Sequence, residues 1–140
     1  YFFIMVVLTT GIIGIIKSQS VHACPWDMVT PTSNGFLWDF SATAGHCFPG
    51  GHASSGFALM TGYFVYRTVN RQRAYFFLIA AAILGFAMGW AQMMRGAHFL
   101  SHNLWTGWVI WCINIIGYVL FSHKMPVEKN ASLLASIKQP

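Results

Sequence analysis

The stretch Ala74-Tyr-Phe-Phe-Leu-Ile-Ala-Ala-Ala-Ile-Leu-Gly-Phe-Ala-Met-Gly-Trp-Ala-Gln-Met-Met94 contains no charged side chain. A helix needs about 17–25 mostly apolar residues to cross the hydrocarbon core of a bilayer, and this stretch meets that need. Ala81, Gly85 and Gly89 recur at every fourth position. On a helix they form one row, and a row of small residues lets a neighbouring backbone come close. Residues 74–94 therefore read as a transmembrane helix with a packing ridge.

Working outward, other apolar blocks cover residues 103–122, 52–69 and 1–16. The 140-residue chain is 56% hydrophobic and only 8% charged, whereas about a quarter of a soluble domain is charged. The fold class expected is an all-α polytopic membrane helix bundle of about four spanning helices, forming one domain over residues 1–140. The block 1–16 is short for a span, so the natural protein is expected to begin upstream of it. Trp105, Trp108 and Trp111 are spaced to line a helix face rather than to build a cofactor box.

The polar segments set the topology. Arg67, Arg71 and Arg73 form a basic turn, and Lys124, Lys129 and Lys138 mark a tail over 123–140. Basic residues accumulate on the cytoplasmic side, which makes 123–140 a cytoplasmic tail. The loop 17–51 and the junction 92–102 then share the extracytoplasmic side. The loop contains Pro25, Pro31 and Pro49 with Trp26, Phe36, Trp38, Phe40 and Phe48, and reads as a lid at the membrane surface. Lys17, His52, His98 and His102 fall on that one face. The compartment is oxidising, which predicts a Cys24–Cys47 disulfide; Cys112 lies inside an apolar block. The net charge of +5 is not gathered into a basic stripe, so no nucleic-acid partner is expected. No zinc-type Cys-x-x-Cys pair occurs.

The chemistry centres on Phe48-Pro-Gly-Gly-His-Ala-Ser-Ser-Gly56. Pro49 suits a helix start, and Gly50 and Gly51 let backbone amides approach a ligand. His52 falls in a first helical turn, where unpaired N–H groups favour an anion. Together Lys17, His52, Arg95, His98 and His102 suit a phosphate monoester or anhydride. Arg95 can grip phosphate oxygens in a fork. One histidine can attack phosphorus while another protonates the leaving oxygen.

This set resembles the type-2 phosphatidic acid phosphatase superfamily. The family's first motif is Lys, six residues, Arg-Pro; here Lys17 precedes Cys24-Pro25. Its second is Pro-Ser-Gly-His; here it reads Pro49-Gly50-Gly51-His52. Its third is Ser-Arg, five residues, His, three residues, Asp; here His98 and His102 hold the last two places, with Gln92 at the Arg position and Arg95 three residues later. The resemblance implies a metal-independent, cofactor-free lipid phosphatase of a bacterial inner membrane, with its site on the periplasmic face. It makes His98 the nucleophile that forms a phosphohistidine and His52 the acid. Lys17, Arg95, Gly50 and Gly51 would hold the phosphate. His102 stands where the family's Asp would orient the nucleophile, a role Asp27 or Asp39 from the lid could also fill. The substrate implied is a lipid phosphate or diphosphate. Two rival readings are a non-catalytic membrane scaffold of this fold and a haem or metal protein ligated by His98 and His102, with His46 or His52.

Overall fold

The computed structural model describes residues 1–43 and 45–122; the tail expected over 123–140 lies outside them. The chain is an all-α membrane helix bundle. Helices α1 (Phe2–Gln19), α4 (Arg71–Met94) and α5 (Leu100–Phe121) are each long and apolar enough to cross a membrane. Between α1 and α4 stand two shorter helices, α2 (Gly51–Phe57) and α3 (Thr61–Tyr66). A 3-10 turn, Ala58–Met60, joins them, and every junction residue keeps right-handed helical dihedrals. Residues 51–66 thus form one composite helical run in the place of the span read over 52–69.

Backbone chemistry, not hydrophobicity, sets the helix ends. At the start of α4 the Asn70 side chain accepts the Arg73 N–H at 2.9 Å, so the helix begins ahead of the apolar block. Its far end is a Schellman motif. Gly96 has φ +70°, its N–H bonds Met93 O, and the Ala97 N–H bonds Gln92 O, both at 2.9 Å. Glycine takes this left-handed position without a Cβ penalty. The chain then reverses into α5. In α1, Thr9 and Thr10 donate their hydroxyls back to Val6 O at 3.0 and 2.8 Å, which satisfies them where no water is at hand.

Helices α2 and α4 meet where they lack side chains. A Cβ on Gly56 would stand 2.6 Å from Leu84 C, inside the α4 backbone. The Phe57 ring lies against Gly85 on α4 and Gly107 on α5, and packs with Ile13, Ala53 and Ile110 in the buried core. The inward row of α5 is polar as well as apolar: His102, Asn103, Thr106, Ile110, Asn114 and Gly117 are buried. Asn114 accepts the Thr61 hydroxyl at 2.8 Å and donates to Ile110 O at 2.9 Å. Outward-facing Phe3, Ile83, Trp90 and Val119 are exposed; on a membrane protein that surface belongs to lipid. Trp105 and Trp108 are also exposed, whereas Trp111 turns inward onto Tyr63 and Phe64.

The loop between α1 and α2 is more regular than its composition suggests. A 3-10 turn (Pro25–Met28) leads into an antiparallel hairpin of β1 (Val29–Thr32) and β2 (Gly35–Trp38), with Thr32 opposite Gly35. Asn34-Gly35 at the tip is a hairpin signal embedded in a proline- and serine-rich run. The two strands are exposed apart from half-buried Val29.

Close α2–α4 packing gives a stability prediction. Gly56→Val forces the backbones apart and should cost about 1–3 kcal/mol or more, read as a lower unfolding temperature in detergent. Gly11→Ala, where a Cβ meets nothing within 4 Å, should leave that temperature unchanged or slightly raised.

Candidate functional site

The C-terminal ends of α1 and α4 and the N-terminal ends of α2 and α5 converge on one side of the bundle. From α1, Lys17 runs past the start of α2: a Cβ on Gly51 would lie 3.4 Å from Lys17 Cδ. Its ammonium donates to His46 O at 2.7 Å. The start of α2 is clamped to α5, because the Gly50 N–H donates to the Thr106 hydroxyl at 2.8 Å. That hydroxyl also donates to His102 O at 2.7 Å. The Gly50 amide is therefore already engaged, and the first-turn amides without a partner among the described residues begin at Gly51. A Cβ at Gly50 would come within 2.5 Å of Asn103 Oδ1, so a larger residue there would have to displace the Asn103 side chain. His52 is exposed beside this turn.

His98 is buried between the Gly96 turn and the head of α5. Its Nδ1 lies 3.4 Å from Cys47 Sγ. Cys47 is fully buried and bonded to Cys24, with the two Cα atoms 5.0 Å apart. The disulfide fastens the loop over the histidines. The same loop is tied at Trp26, whose N–H reaches Gly96 O at 3.0 Å, and at Cys47, whose N–H reaches His22 O at 2.9 Å. Burial is the main reason that the His98 imidazole is pushed down to about 4; the positive charge of Lys17 follows, then that of His102. A hydrogen bond to the Cys47 backbone opposes them, and His52 adds a smaller lowering. Of the other cluster members, His102 is the one whose ring packs against His98.

The His98 and His102 rings stand edge to face, centroids 6.1 Å apart, with no hydrogen bond between them among the described residues. His102 Nδ1 is buried without a partner. What holds His98 is Cys47, not the residue four places on. Neither Asp27 nor Asp39 hydrogen-bonds His98 among the described residues. Asp27 accepts the Cys24 N–H at 3.2 Å, and Asp39 accepts the Ser41 hydroxyl and, at 2.9 Å, the Ser41 N–H; the hydroxyl first and the N–H second hold its carboxyl below the usual range. Arg95 is the C-cap of α4 and exposed; it joins the same end without a hydrogen bond to the cluster among the described residues.

Sequence reasoning passed over three participants. His22 stands edge to face with His102 at 6.4 Å and lines a cavity of about 300 Å³ with Ser20 and Phe48. Asn103 and Thr106 are buried polar residues inside an apolar span, which by itself marks a functional or packing site. A metal is a poor fit here. Cys47 Sγ and the His98 and His102 nitrogens lie within 4.8 Å of one another, but the disulfide removes the thiolate that would bind, and two imidazoles remain. His46, a further candidate ligand, directs Nδ1 to Ser20 O.

A family model described as the PAP2 superfamily matches residues 1–126. Comparison with curated proteins and with solved structures gave no match.

Opening the disulfide should loosen the loop. The cross-link spans 23 residues, and chain-entropy arguments put its contribution near ~3 kcal/mol. Cys24→Ser with Cys47→Ser, or reductant on the wild type, should lower the unfolding temperature accordingly. Exchange protection of the amides around Ala97 and His98 should drop with it, while that of α4 is kept.

Proposed function

The chain belongs to the PAP2 superfamily, and on that premise we propose that it is a membrane lipid phosphatase acting through a phosphohistidine. Membership carries phosphoric-ester hydrolysis at the coarse level, and the three apolar helices carry membrane association. The lipid substrate, the intermediate and the role of each residue are our reading.

The observation that supports it most is His98. An imidazole with an ordinary pKa near 6.5 is protonated to roughly one quarter at neutral pH, and that fraction cannot attack. His98, pushed down to about 4, is a free base there. A disulfide sulfur can only accept a hydrogen bond, so we assign the His98 proton to Nδ1, facing Cys47 Sγ, and the lone pair to Nε2. In the reading proposed, Nε2 bonds to phosphorus as the bond from phosphorus to the leaving oxygen breaks, and His52 gives that oxygen its proton. Water then attacks the phosphohistidine, passing a proton to His52, and phosphate leaves with His98 restored. Lys17, Arg95 and the Gly51 amide bear the charge that gathers on the equatorial oxygens. His102, buried beside His98, excludes water from that ring. The substrate is a lipid phosphate or diphosphate presented from the leaflet. The membrane is the cell membrane, a bacterial inner membrane, with the histidine end on the periplasmic face and residues 1–140 acting as one phosphatase domain.

Purified protein should release phosphate without added metal from at least one of lipid A, phosphatidic acid, phosphatidylglycerophosphate and polyprenyl diphosphate, and vanadate should inhibit it. His98→Ala should reduce release to background, and His52→Ala should lower kcat by about 10²–10⁴-fold. Release that survives His98→Ala removes His98 as the nucleophile. No release from any of the four lipids favours a scaffold.

The pH dependence has a definite sign. Because the folded-state pKa of His98 is depressed to about 4, the unfolded chain binds more protons between that value and about 6.5. The linked stability is present in full above 6.5 and is lost as pH falls through about 4. Unfolding temperature should decline over that window, and His98→Gln should flatten the decline. The nucleophile's own limb in a pH profile of kcat/KM should lie near 4.

A further inference from the structure

The end of the bundle away from the histidines carries a second concave site. Where α3 turns into α4, a cavity of about 350 Å³ is lined by Tyr63, Arg67, Thr68, Arg71 and Tyr75. Two guanidinium side chains at one cavity repel each other unless an anion lies between them. The Arg67 guanidinium is held in place without one: its carbon stands 4.8 Å from the Tyr118 ring centroid and 5.8 Å from that of Tyr63. This cation–π packing orders the fork before a ligand arrives. The described carboxylates, Asp27 and Asp39, are spent in the loop at the other end.

From Arg71 to Met94, α4 rises about 35 Å at 1.5 Å per residue, close to the thickness of a bilayer's hydrocarbon core. The cavity therefore lies at the opposite membrane interface, at the depth of phospholipid head groups. Leading away from it along α4, Tyr75, Ile79 and Ile83 follow at every fourth position and are all exposed, an apolar track on the lipid-facing side. A soluble anion would use the arginines alone; a lipid would use both features.

We propose that the cavity between Arg67 and Arg71 is a binding site for an anionic phospholipid, whose phosphodiester is gripped by the two arginines while an acyl chain lies along Tyr75, Ile79 and Ile83. The ligand joins the last turn of α3 to the first turn of α4 by charge-assisted hydrogen bonds, and so stiffens the reversal between them. The site is separate from the histidine cluster and independent of what that cluster does.

The test uses the whole chain in phosphatidylcholine nanodiscs containing a minor fraction of phosphatidylglycerol. The readouts are phosphatidylglycerol retained after extraction into detergent and the unfolding temperature. Wild type should retain the anionic lipid and unfold at a higher temperature than in phosphatidylcholine alone. Arg67→Gln with Arg71→Gln should cut retention at least about tenfold and abolish the rise. Because Arg67 also packs on two rings, Arg71→Gln alone serves as the variant that spares that packing, and it should lose most of the effect. Arg73→Gln removes a charge from the same turn outside the cavity and should behave as wild type. Vanadate, directed at the histidine end, should displace nothing. Equal retention in the double variant, an equal loss in Arg73→Gln, or displacement by vanadate each overturns the proposal. If inorganic phosphate in pure phosphatidylcholine raises the unfolding temperature as much, the site takes a soluble anion and the lipid assignment falls.

Discussion

At Gly56 and Gly85 the backbones of α2 and α4 approach more closely than any side chain would permit, and the histidine end takes its shape from that approach. With no Cβ between the helices, the Phe57 ring can lie flat against Gly85 and still reach Gly107 on α5. One aromatic ring thereby sets the spacing of three helices. In lipid there is no hydrophobic drive between helices, so fit of this kind and buried hydrogen bonds must hold the bundle. The same fit draws the start of α2 against α5, where Gly50 and Thr106 bond, and leaves His52 at the rim.

Polar contacts then fix what packing has brought near. Thr106 ties the Gly50 turn to the carbonyl of His102, so the second and third motif regions are mechanically joined. The disulfide does the same from above, seating Cys47 against His98. An imidazole kept in place by a sulfur and a backbone group, without a carboxylate, has little to stabilise its protonated form. That is consistent with its depressed pKa, which comes first from burial and next from the Lys17 charge. His102, where the related motif has an acidic residue, adds to that lowering instead of opposing it.

The membrane character and the helical fold were legible because hydrophobic blocks and the Ala81, Gly85, Gly89 row report directly on lipid contact and close packing. The Cys24–Cys47 bond was legible from topology. Helix ends were less so. Asn70 and Gly96 set them through capping geometry, which apolar run length does not register. The hairpin was hidden because Asn34-Gly35 stood in a stretch whose prolines argued for irregular structure. At the candidate site, the gathering of Lys17 near Gly51 and of His98 near His102 follows from which helix ends share a face. The partners of Gly50, His98 and Asp27 could not be foreseen, since each bond depends on side-chain directions set by segments distant in sequence. Asp27 and Asp39 looked available to a histidine only because their local backbone partners, Cys24 and Ser41, were not in view.

The described side chains also divide unevenly along the bundle axis. At the histidine end Lys17 and Arg95 are balanced by Asp27 and Asp39, whereas Arg67, Arg71 and Arg73 stand at the other end without a described carboxylate. In an energised membrane each elementary charge carried across 100 mV is worth about 2.3 kcal/mol. The two orientations of this bundle then differ by roughly 7 kcal/mol from the three arginines alone. A voltage that is negative on the arginine side thus adds to the preference for the orientation that keeps those arginines there, without touching a single contact.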